Sequence, residues 1–361
     1  MKRTAHGASG EKSPAPPEHH RPGGGFRNPW GDFAPDIPQG FFAWARAHRT
    51  TNPRPRDPHP SVFPRASPTF VSPRAPENTL TVTWVGHATF LIQLGGLNIL
   101  TDPIWSERPS PIPFAGPRRW VPPGARLDAL PPIDIVLVSH NHYDHFDSRT
   151  ARRLAAMHPA ARWLPPLGLG ALVRRKGARH VQELDWWDEA RVATVAVTCT
   201  PAQHWSARGF RDRGKSLWCG WTVRAGSQAV YFAGDTAYFP GFREIGERCG
   251  PFSVVLLPIG GYEPRWFMRF VHMSPEEAVR AFVELARDDR RSLMVPMHFG
   301  TFKMTDEAMD EPPRRLGEAW GDAGLPASQL GILAHGESRL LTVRSGVVSN
   351  GARSGDDQIK N

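Results

Sequence analysis

The strongest constraint on this 361-residue chain is a short segment at the end of a buried strand. The apolar run Ile133-Asp-Ile-Val-Leu-Val138 leads directly into Ser139-His-Asn-His-Tyr-Asp-His-Phe146. Four potential metal ligands, His140, His142, Asp144 and His145, stand in that one segment. His140 and His142 are two apart, so in extended chain they point to the same side. Asp144 and His145 follow a turn and can address a second point. Imidazole and carboxylate suit zinc, and also iron or manganese. A single His-x-His pair is commonplace on ordinary strands. The denser cluster is costly to bury unless it holds something.

Three further residues of the same kind end apolar runs downstream. His204 lies in Thr200-Pro-Ala-Gln-His-Trp205, Asp235 in Tyr231-Phe-Ala-Gly-Asp-Thr236, and His298 in Met294-Val-Pro-Met-His-Phe-Gly300. Each alone reads as a satisfied polar residue. Together with the first four they complete the ligand set of two metals. Thr81–Val85, Thr89–Leu94 and Leu97–Thr101 read as strands, the last two joined at Gly95-Gly96. Arg191–Cys199, Trp218–Val223, Ala229–Ala233, Val254–Pro258 and Leu293–Met297 read as further strands. Ala151–Met157 and Leu167–Lys176 read as helices. Ser274-Pro-Glu-Glu277 has the form of a capped helix start, the helix running to about Ala286. Strands and helices interleave, which predicts an α/β domain.

Residues 1–25, rich in Pro, Gly and His, are expected to be a disordered tail, with His19, His20 and His48 in solvent. Residues 26–78 read as a Pro-rich arm, within which Phe41–His48 is expected to form a short apolar helix. Residues 346–361 are expected to fray. The formal charge of +9 favours acidic partners. No zinc knuckle, recognition helix or long Lys/Arg run argues for nucleic acid. Cys199, Cys219 and Cys249 form no CxxC pair and read as buried apolar residues of a reducing compartment. No secretory signal and no apolar run of roughly 20 residues is visible. The expectation is a cytoplasmic protein, peripheral on a membrane at most.

The order of the metal motifs resembles the metallo-β-lactamase superfamily. Phe26-Arg-Asn-Pro-Trp30, Trp84-Val-Gly-His-Ala-Thr89, Leu100-Thr-Asp-Pro103, Tyr262-Glu-Pro-Arg-Trp-Phe-Met268 and His335-Gly-Glu-Ser-Arg339 sharpen the match. Over roughly residues 26–345 they resemble the N-acyl-phosphatidylethanolamine-hydrolysing phospholipase D family. The resemblance implies a four-layer αβ/βα sandwich with two Zn2+ at one edge of its sheets. It implies that His140, His142 and His204 hold one zinc, that Asp144, His145 and His298 hold the other, and that Asp235 bridges them. It also implies a phospholipid substrate, peripheral membrane contact and a homodimer.

The expected chemistry is attack by a metal-activated hydroxide on phosphorus, with Asp144 orienting or deprotonating it. The resemblance implies that His272 contacts the head group or leaving oxygen, a core or loop histidine being the alternative on the residues alone. Asp102 and His87 are read as supporting the ligands from behind. Tyr262, Arg265 and Trp266 are read as substrate-binding. Phe41, Phe42, Trp44, Trp266, Phe267 and Met268 are candidates for an apolar groove. Metal sites of this kind attack carbonyl and phosphoryl centres alike, so another phosphodiester, a lactone or an acyl substrate is the alternative.

Overall fold

The computed structural model describes residues 17–31, 55–112, 114–209, 211–287 and 289–342. The expected apolar helix at 41–48 and the frayed tail at 346–361 lie outside them, as do Phe41, Phe42, Trp44 and His48. The first sheet is built from β1 (Thr79–Gly86), β2 (Thr89–Leu94), β3 (Leu97–Thr101), β4 (Ile135–Leu137), β5 (Arg162–Leu164), β6 (His180–Val181) and, from the far end of the chain, Ser338–Thr342. The second is built from β7 (Glu189–Val192), β8 (Val195–Thr200), β9 (Gly220–Ala225), β10 (Gln228–Phe232), β11 (Val254–Pro258) and β12 (Leu293–Met297). With Ser338–Thr342 as β13, the orders are β13-β1-β2-β3-β4-β5-β6 and β12-β11-β10-β9-β8-β7.

Period-two burial explains why the two sheets face each other. Phe90, Ile92 and Leu94 of β2 and Ile135 and Leu137 of β4 join the large core that includes Val195, Val197, Trp221 and Val223 of the second sheet. The alternate residues Leu91, Leu100, Val136 and Val138 point the other way, onto α1 (Ser148–Met157) and Val173 of α2 (Gly170–Arg174). Ile245, Phe282 and Leu316 of α3 (Gly241–Cys249), α5 (Pro275–Ala286) and α6 (Glu311–Asp322) join the core on the second sheet's side. A further helix, α4 (Arg265–Met268), is a single turn over the site. These are the four layers expected for the α/β sandwich. α5 starts as its sequence predicts: the Ser274 side chain accepts from Glu277 N, and the Glu277 carboxylate accepts from Ser274 N.

Two expectations fail. Arg191–Cys199 is two strands, β7 and β8, because Ala193 turns the chain at φ 50° without a glycine. Residues 17–25 are not a free tail. His19 is buried, stacks on Trp186 at 4.1 Å and hydrogen-bonds Asp185 Oδ1 at 2.7 Å; His20 meets Asp185 Oδ2 at 2.7 Å. The shared carboxylate seats both rings, His19 buried and His20 half-buried.

Parallel pairing of β3 with β4, of β10 with β11 and of β11 with β12 sends their carboxyl ends to one edge. Trp221, fully buried on β9, ties the sheets there by donating its indole N–H to the Val138 carbonyl at 3.2 Å. Trp221→Ala should cost about 3–5 kcal/mol of stability, measured by denaturant unfolding; a loss below about 1 kcal/mol would show that the core does not depend on it.

Candidate metal centre

Asp102 follows β3, Ser139 and His140 follow β4, His204 follows β8, Asp235 follows β10 and His298 follows β12. Every ligand predicted from sequence therefore arrives at the same edge. His140 Nε2 lies 2.8 Å from His142 Nδ1, which lies 3.2 Å from His204 Nε2. In a second group, His145 Nε2 lies 3.2 Å from Asp144 Oδ2 and 3.0 Å from Asp235 Oδ2. His298 Nε2 lies 3.5 and 3.2 Å from the same two oxygens. Asp235 Oδ2 is also 4.0 Å from His140 Nε2 and 3.9 Å from His204 Nε2, so it stands between the groups.

Within each group the donors stand 2.8–3.5 Å apart, slightly closer than donors around one bound ion. A tetrahedral shell with donors at about 2.0–2.2 Å spaces them by about 3.3–3.6 Å. Asp235 Oδ1 is buried without a hydrogen-bond partner, and His145 Nε2 and His298 Nε2 face carboxylate oxygens without hydrogen-bond geometry. Burying unpaired polar atoms costs about 1–3 kcal/mol each, and bound cations remove that cost.

Supporting bonds fix which nitrogen of His140, His145 and His204 faces the centre. His145 Nδ1 meets Asp102 Oδ2 at 2.7 Å, and His204 Nδ1 donates to the Val271 carbonyl at 2.9 Å. His140 Nδ1 meets Ser139 Oγ at 2.9 Å, and that hydroxyl donates to Asp102 at 2.5 Å. Asp102 also accepts from Ser139 N at 2.7 Å, so one carboxylate orients two ligand rings. His87 Nε2 donates to Asp144 Oδ2 at 3.0 Å. Asp102 and His87 therefore stand behind the cluster, hydrogen-bonded to His145 and Asp144 respectively. Backbone strain gathers here too: His87, Asp102 and His298 have φ of 55°, 32° and 63°.

Burial and the neighbouring cationic rings keep His140 well below the usual imidazole range, and burial with His204 lowers His142 to about 3. Burial likewise lowers His204 to about 4, against the pull of Asp235. These rings are neutral at neutral pH, the form in which an imidazole can ligate a metal. Burial opposes ionisation of Asp144 and Asp235, yet His145 and His298 outweigh it and hold both carboxyls well below the carboxylate range. In return, and against its own burial, Asp235 and Asp144 raise His298 to about 9 and His145 well above normal. Protons on these two rings balance the two carboxylates, and a metal held by the same atoms would take their place.

A cavity of about 370 Å³ adjoins the centre. His142, Asp144, His204, Asp235, His272 and His298 supply its polar side; Phe267, Met268, Val271 and Met304 supply an apolar side. His272 is buried, with Nε2 3.8 Å from Asp235 Oδ2. Three residues read as substrate-binding are placed otherwise. Tyr262 is fully buried, its hydroxyl donating to Glu311 at 2.7 Å. Arg265 spends its guanidinium on the Glu277 carboxylate at 2.9 Å and the His272 carbonyl at 3.0 Å, so it props His272. Trp266 is 48% exposed and is not among the cavity's lining residues.

Asn28, in the Phe26–Trp30 motif, was given no role by sequence. Its amide donates to the His204 carbonyl at 2.9 Å and its oxygen accepts from Trp218 at 3.1 Å, which braces a ligand from the N-terminal segment. His335, also without a role, meets Thr301 Oγ1 at 3.1 Å, and that hydroxyl accepts from His87 N at 2.8 Å.

Residues 97–299 match the family model described as a beta-lactamase superfamily domain. An uncharacterized protein of Mycobacterium tuberculosis is 42% identical over 278 residues, 76% of this chain and 72% of that protein. N-acyl-phosphatidylethanolamine-hydrolyzing phospholipase D 1 of Caenorhabditis elegans is 40% identical over 253 residues, 67% of this chain and 70% of that one. The solved structure of Igni18, a metallo hydrolase from Ignicoccus hospitalis, has a TM-score of 0.55 at 23% identity and covers 74% of this chain and 100% of its own. The chain belongs to the metallo-β-lactamase superfamily. Within it, the resemblance is to the N-acyl-phosphatidylethanolamine-hydrolysing phospholipases D.

Asp102→Asn should weaken metal affinity by roughly 10–100-fold, measured by competition with a chromophoric chelator; unchanged affinity would remove Asp102 from the centre. The raised His298 also predicts a pH effect in metal-stripped protein. A folded value of about 9 lies above the ordinary 6.5. Its stabilisation is complete below about pH 6.5 and is lost as the pH rises through about 9. Thermal melts across that window should decline, and a flat profile would contradict the charge balance.

Proposed function

We propose that this chain is a metal-dependent phosphodiesterase of phospholipase D type, hydrolysing N-acyl-phosphatidylethanolamine to an N-acylethanolamine and phosphatidic acid. The observation that carries the reading is the union of a two-group His/Asp centre with an apolar cavity wall. Phe267 and Met268 are half-buried along that wall rather than locked in a dry cluster, which suits acyl chains. The motif likeness to phospholipases D supports the same substrate class.

In this reading His140, His142 and His204 would hold one zinc and Asp144, His145 and His298 another, with Asp235 placed between the two groups. Iron or manganese suits the same donors. Two bound cations would neutralise the non-bridging oxygens of the phosphodiester and lower the pKa of water beside them. Asp144 uses Oδ2 for His87, His145 and His298. Its Oδ1 is left to orient the attacking water and take its proton. Water oxygen bonds to phosphorus, the bond from phosphorus to the ethanolamine oxygen breaks, and a proton passes to that oxygen. His272 faces this group as a neutral ring, its basicity lowered by burial against the pull of Asp235. It hydrogen-bonds the leaving oxygen. Among the described residues no helix is long and apolar enough to cross a membrane, so contact with the lipid surface is proposed to be peripheral.

Zinc-loaded protein should release N-acylethanolamine and phosphatidic acid from the lipid, detected by mass spectrometry. Asp144→Asn should retain most of the metal and lose turnover by a factor of about 10² or more. Turnover of a lactone or another phosphodiester, without release from this lipid, would replace the reading with the acyl or alternative-diester one.

A further inference from the structure

The catalytic cavity shares a wall with a second cavity of about 340 Å³. Tyr143 lines both, and Pro109 in the first is flanked in the chain by Arg108 and Ser110 in the second. The two differ in chemistry. The second is lined by five cations, Arg108, Arg149, Arg152, Lys176 and Arg208, against the carboxylates Glu107 and Asp147.

Both carboxylates are already engaged. Glu107 faces Arg118 at 3.3 Å, and Asp147 caps α1 while accepting from Ser106 N at 3.1 Å and from Thr150. Among the described residues, Arg149, Arg152 and Lys176 have no carboxylate partner. Arg208 donates to the Asn141 and Phe146 carbonyls and lies 3.8 Å from the Tyr143 ring centre, so it cannot turn away. Burial, then the charges of Arg152 and Arg208, lower the Lys176 ammonium, a sign of crowded like charges. Such a cluster costs the fold stability and suits an anion arriving from solution or a surface.

The neighbouring loop indicates the source of that anion. Ile112 is 45% exposed and Phe114 is 84% exposed, on the same stretch that supplies Arg108, Ser110 and Pro111 to the cavity. Exposed apolar residues beside a basic pocket fit the boundary between acyl chains and anionic head groups. We propose that this second cavity binds the phosphate group of an anionic phospholipid other than the one being hydrolysed. With Tyr143 as the shared wall, the bound head group sets that lipid beside the catalytic cavity. The choice of a lipid rests on the phospholipase reading; the cation cluster does not.

The test is retention of metal-loaded protein on phosphatidylcholine vesicles, with and without phosphatidic acid, for wild type and for Arg152→Ala/Lys176→Ala. Neither residue belongs to the metal centre. Phosphatidic acid should strengthen wild-type retention, and the double variant should lose about tenfold or more of that gain with no change on phosphatidylcholine alone. Its melting temperature should match or exceed that of wild type, because crowded cations are removed. Equal retention of a folded variant on phosphatidic acid would overturn the proposal. So would weakened binding of inorganic phosphate with unchanged vesicle retention, which assigns the cavity to free phosphate. No turnover is measured, so failure of the hydrolysis reading leaves the result intact.

Discussion

The carboxylate of Asp235 is the point on which the centre converges. One oxygen, Oδ2, lies within 4.0 Å of ring nitrogens from His140, His145, His204, His272 and His298. Those rings come from both sheets and from the segment before α5. Parallel strands ending at a common edge make the convergence available, and an ionised carboxylate buried among neutral and cationic rings makes it stable. Charge also orders the centre from behind. Asp102 holds His145 directly and His140 through Ser139, so one strand end in the first sheet orients a ligand from each group.

Much of the centre was legible in the chain. His140 and His142 obey the period of extended backbone, and all seven ligands follow apolar runs short enough to be buried strands. The α/β class followed from interleaved elements, and the four-layer sandwich from the family resemblance of the motifs. What could not be read depends on partners distant in sequence. The seat of His19 and His20 on Asp185 lies about 165 residues away, beyond any local pattern. The β7–β8 turn was invisible because Ala193, not Gly, takes the left-handed conformation. Tyr262 and Arg265 belong to a specific motif, but a motif does not tell whether a side chain faces a cavity or supports the residue that does. Glu311 and Glu277, which settle their orientation, lie on α6 and α5.

The site's two faces have different physical origins. Its polar face is strand ends, rigid and overdetermined by hydrogen bonds. Its apolar face is α4 and the segment after it, attached through Arg265, Glu277 and the capping box of α5. Changes in substrate preference are therefore expected in the second face without disturbance of the first.

The most direct test is anomalous diffraction from crystals of the metal-loaded protein, recorded at the metal's absorption edge. Two peaks are expected, one among His140, His142 and His204, the other among Asp144, His145 and His298, with Asp235 adjoining both. A single peak, or peaks remote from Asp235, would contradict the dinuclear centre.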